Sequence, residues 1–104
     1  MIINDVIREA TSEHEVYFLL TAYVEAVRFG DQLNCLPPQV RELPLHGVED
    51  VRARIDGLKA ALNGPSRATD YKSLVVVRET ADILGDALDR LQWLKHEGRR
   101  AMNA

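Results

Sequence analysis

The sequence holds a single cysteine, Cys35, so no intramolecular disulfide can staple the chain and its fold must rest on a core. No basic residue lies within five positions of Cys35, so nothing local lowers its pKa and a buried, inert thiol is expected. Aromatic residues make up only 6% of the chain. The longest β-branched run is Val75-Val76-Val77, which offers little from which to build a sheet. Long apolar runs are missing too. The longest, Val16 to Val27, is interrupted by Thr21 and Glu25 and falls short of the roughly 20 residues a membrane span needs. Met1-Ile2-Ile3-Asn4-Asp5 lacks the cationic opening of a signal peptide, so a cytoplasmic protein without a membrane partner is expected. Thirteen basic against sixteen acidic residues give a net charge of −3, which disfavours nucleic acid as a partner.

Chemistry-bearing motifs are equally scarce. The sequence has no glycine-rich phosphate loop, no serine nucleophile elbow and no dinucleotide fingerprint. Neither His14 nor His96 has a glutamate three residues before it, and Leu43 stands there before His46, so the Glu-x-x-His pairs of a di-iron bundle are missing. One cysteine and no paired histidines leave no zinc set, and no cofactor is expected.

What the chain does have is helical periodicity. Its 104 residues suit one domain, 1–104, and 46% of them are hydrophobic. A short helix is expected from about Asn4 to Ala10, with Val6, Ile7 and Ala10 inward. Ser12 and Glu15 then have capping-box spacing for a second helix ending at Phe29, before Gly30. Whether the two helices are continuous stays open. A third helix, Val48 to Leu62, carries Val48, Val51, Ile55, Leu58 and Leu62 as one stripe, with Arg52, Arg54, Asp56 and Lys59 on the remaining circumference. The fourth and longest starts at Ser66 or Asp70 and ends near Glu97, leaving 99–104 as a frayed tail. Between the second and third helices, residues 31–47 contain Pro37, Pro38 and Pro44. Their leucines call for cover, so a structured loop folded over the bundle end is expected. The fold class that follows is all-α: a small antiparallel four-helix bundle with a short N-terminal helical extension.

Function has to be sought in residues the core cannot use. On the fourth helix Val76, Val77, Ile83, Leu84, Ala87, Leu88, Leu91 and Leu94 form the core arc, and Glu79, Asp82, Asp86 and Asp89 form an acidic stripe opposite it. Val75 and Trp93 fall inside that acidic sector. On the second helix Val16, Leu20, Tyr23, Val24 and Val27 face the core, whereas Phe18, Ala22 and Phe29 lie on the other side. A helix apolar on two faces in so small a bundle calls for a partner. The interface set is therefore Phe18, Ala22, Phe29, Val75 and Trp93, and the expected state is a homodimer, with another protein as the alternative occupant. His14, Thr21, Glu25 and Arg28 run between the two faces as a candidate ligand groove; a plain surface stripe with a Glu25–Arg28 pair is the weightier reading.

Two enzymatic alternatives are weighed beside this. All-α nucleotide pyrophosphohydrolases hold Mg²⁺ with Glu-x-x-Glu and Glu-x-x-Asp pairs. Glu79 to Asp82 has the second form, and Asp86 to Asp89 repeats the spacing, but no Glu-x-x-Glu occurs, so half the cage is missing. HEPN-type ribonucleases carry an arginine and a histidine four to six residues apart near the C-terminus. Arg90 and His96 meet that loose pattern, and so do Arg41 and His46 in the loop, which shows how little it discriminates. The function expected is a non-enzymatic interaction or regulatory module acting as a homo-oligomer.

Overall fold

The structure, a computed structural model, describes residues 2–29, 45–63 and 71–103. Among them are four helices and no strand: α1 (Ile3–Arg8), α2 (Glu13–Phe29), α3 (Val48–Asn63) and α4 (Tyr71–Asn103). The chain is all-α, as its periodicity predicts. The expectations for Gly30, Cys35, the loop segment 31–44 and the start of the last helix at Ser66 or Asp70 lie outside the described residues.

The break between α1 and α2 is made by side chains that compete with the helical backbone. The Ser12 hydroxyl accepts the Glu15 amide at 3.1 Å, one half of the expected capping box. The Glu15 carboxylate reaches back one residue further than the usual box, accepting from the Thr11 amide at 2.9 Å and from its hydroxyl at 3.2 Å. The start of α3 repeats the device. Asp50, in its first turn, accepts the His46 amide at 2.9 Å, while Gly47 has no side chain to return the favour. In both helices a first-turn carboxylate satisfies the amide just outside the helix and sits favourably on the helix dipole.

α4 is the spine on which α1, α2 and α3 all pack. Its 33 residues, at about 1.5 Å each, account for the 51 Å long dimension of the molecule. The α1–α2 turn touches α4 at Arg90, and Tyr23 meets it at Thr80, so α2 runs antiparallel to α4. The first turn of α3 lies beside Gln92 and Lys95. Its last residue, Asn63, must be joined to Tyr71 within about 30 Å of extended chain, so α3 is antiparallel to α4 as well.

The core is the inner stripe of each helix. Ile7, Ala10, Val16, Leu20, Val51, Leu58, Val77, Ala87 and Leu91 are fully buried, with Leu45, Val76, Ile83 and Leu84 nearly so. Each large aliphatic group among them contributes about 1.5–3 kcal/mol by leaving water.

Two expectations are corrected. Arg54 is buried, not on the solvent side of α3. It stands three residues after Val51 and four before Leu58, on the flank of the buried stripe, and its Nη1 donates to the Asp50 carbonyl at 3.2 Å. The last helix also does not end near Glu97 with a frayed tail: α4 continues through Gly98 to Asn103. A glycine inside a helix costs only about 1 kcal/mol, and Arg99, Arg100, Ala101 and Met102 are all good helix formers.

Candidate functional site

On α2, successive steps of four residues from Phe18 lead to Ala22 and Ala26, one line along the side of the cylinder away from α4. All three residues are exposed, Phe18 to 67%. No charged residue stands on the line between them. Glu25 flanks it half-buried, with Thr21 half-buried and His14 exposed beside it. The side chains of Arg28 and Phe29 lie outside the described residues, so the Glu25–Arg28 pair and the far end of the expected interface do too.

On α4, Trp93 is 48% exposed and Val75 half-buried. Trp93 is not bare: the Arg90 guanidinium lies 4.2 Å from its ring centroid, a contact of about 0.5–1 kcal/mol at an exposed site. Arg90 Nε also donates to the Ala10 carbonyl at 2.8 Å. This one side chain ties the α1–α2 turn to the spine. His96 is exposed.

The acidic stripe divides. Glu79, Asp82 and Asp89 are exposed. Asp86 is not free like them: its Oδ2 accepts from Asn4 at 2.6 Å and from Arg8 at 2.9 Å, so this carboxylate docks α1. No group of three or more His, Cys, Asp or Glu side chains among the described residues is arranged to hold a metal ion.

Between α2 and α4 a polar pair sits in the core. Thr80, fully buried, donates its hydroxyl proton to the Val76 carbonyl at 2.8 Å, so Tyr23, 3.1 Å away, is the donor to Thr80. Burial raises the Tyr23 pKa above its ordinary value and Glu79 adds to the rise. Thr80 works the other way, because its hydroxyl can turn to donate to a phenolate. Tyr17 is raised by partial burial first, then by Glu13 and by Asp50 across the α2–α3 boundary.

A further open groove of about 530 Å³ lies between the start of α3 and α4, with His46, Arg52 and Lys95 on its walls. Arg52 is paired with Glu49 at 3.1 Å. No helix among the described residues is long and apolar enough to cross a membrane. Compared with protein-family models, curated proteins and solved structures, the chain matches none of them.

The sequence reading places Phe18, Ala22 and Trp93 on the surface, where they are found. It misses Asn4, Arg8 and Thr80, whose roles depend on what stands opposite them.

Proposed function

We propose that this protein is a non-enzymatic helical interaction module that acts as a homodimer, joined through the outer face of α2. The observation that carries the reading is the Phe18 ring, two-thirds exposed at the end of an uncharged alanine line. A lone exposed aromatic is ordinary, but one aligned with two exposed alanines forms a strip against which a second helix can pack closely.

Charge favours this face over the one on α4. If two copies of α4 met antiparallel so that Val75 of each lay against Trp93 of the other, residues whose numbers sum to the same value would be opposite one another. Glu79 would then face Asp89, carboxylate against carboxylate, and Asp82 would face Asp86, whose charge Arg8 partly offsets. Such like-charge juxtaposition is strongly unfavourable at an interface. The same construction on α2, centred on Ala22, sets the Phe18 ring against Ala26 of the second copy, large against small, and the flanking Glu25 against the apolar Leu19 rather than against another carboxylate. Arg90 meanwhile gives the Trp93 ring a partner within its own chain.

The enzymatic alternatives draw less support. Of the residues they would use, Asp86 is taken up in holding α1, and Arg90 in holding the α1–α2 turn. A cytoplasmic setting accords with the single cysteine and the mildly acidic chain.

Analytical ultracentrifugation tests the reading. The wild-type chain is expected to sediment as a dimer at micromolar concentration. Phe18→Glu is expected to weaken the dimer roughly tenfold or more, because it buries a charge within the contact, whereas Trp93→Glu leaves it unchanged. A wild-type monomer at high concentration sinks the proposal, and a dimer lost only in Trp93→Glu moves the interface to α4.

A further inference from the structure

We draw no further inference here: the strongest candidate, the open groove between the start of α3 and the C-terminal half of α4 where His46, Arg52 and Lys95 gather, rests on a helix N-terminus that Asp50 already caps, with no second observation pointing to a ligand.

Discussion

Replacing Asp86 by alanine tests whether a carboxylate of the acidic stripe is a fastener for α1. Asp86 is 23% exposed, and its Oδ2 takes both the Asn4 amide and the Arg8 guanidinium. The two bonds differ in value. The Asn4 bond is partly buried and ends on a charged acceptor, so it contributes about 1.5 kcal/mol. Arg8 is 59% exposed and shares its guanidinium with Asp5, so screening and competition reduce its share to about 0.5 kcal/mol. Asp86→Ala should thus lose roughly 2 kcal/mol in urea unfolding. α1 itself keeps Ile7 and Ala10 in the core and Arg90 on the Ala10 carbonyl, so the fold survives. The loss should be local first, with faster amide exchange across residues 5–10 and little change in the middle of α4. In a double-mutant cycle Asn4→Ala and Asp86→Ala should couple by about 1 kcal/mol or more, and Arg8→Ala with Asp86→Ala by less. No coupling to Asn4, or unchanged exchange in α1, refutes the assignment.

Gly85 lies in mid-α4, where an added Cβ meets nothing within 4 Å, so Gly85→Ala should stabilise the protein by about 0.5–1 kcal/mol, read as a higher Tm; a lower Tm means the position is not helical and open as described. Ser12→Ala, which removes the cap on the Glu15 amide, should cost about 1 kcal/mol in urea, and no loss would show that Glu15 alone sets the start of α2. Tyr23 has a raised pKa when folded, so its unfolded phenol ionises first. Stability should hold up to about pH 10 and fall as pH rises through the higher folded value; Tyr23→Phe should flatten that fall, and an equal slope in both proteins rejects the cause.

Helical period reports the angle of a residue around its own axis, and everything that depends on that angle alone was legible in the sequence. Val16, Leu20, Val24 and Val27 are buried because they share one side of α2, and Phe18 and Ala22 are exposed because they share the other. The Ser12–Glu15 cap was equally legible, since it is local. Arg54 departs from the expected solvent side because spacing puts it on the buried flank of α3, although its charge argues against burial. α4 runs past Gly98 because one glycine does not stop a helix when no proline follows it.

What stands opposite a residue is a different kind of information. Asp82 and Asp86 look alike along α4, yet Asp82 is exposed and Asp86 is paired with two side chains of α1, about 80 positions away in sequence. The difference is angular. Asp86 stands on the side of the outer sector nearer Ile83 and Arg90, the side on which α1 packs, while Asp82 and Asp89 lie toward Arg78. A stripe that reads as four equivalent carboxylates is thus three exposed charges and one internal contact. The remaining three bear on the proposed approach of a second copy. In the proposed homodimer they would repel a like face from α4, Trp93 included, whereas no charged residue stands on the line of Phe18, Ala22 and Ala26.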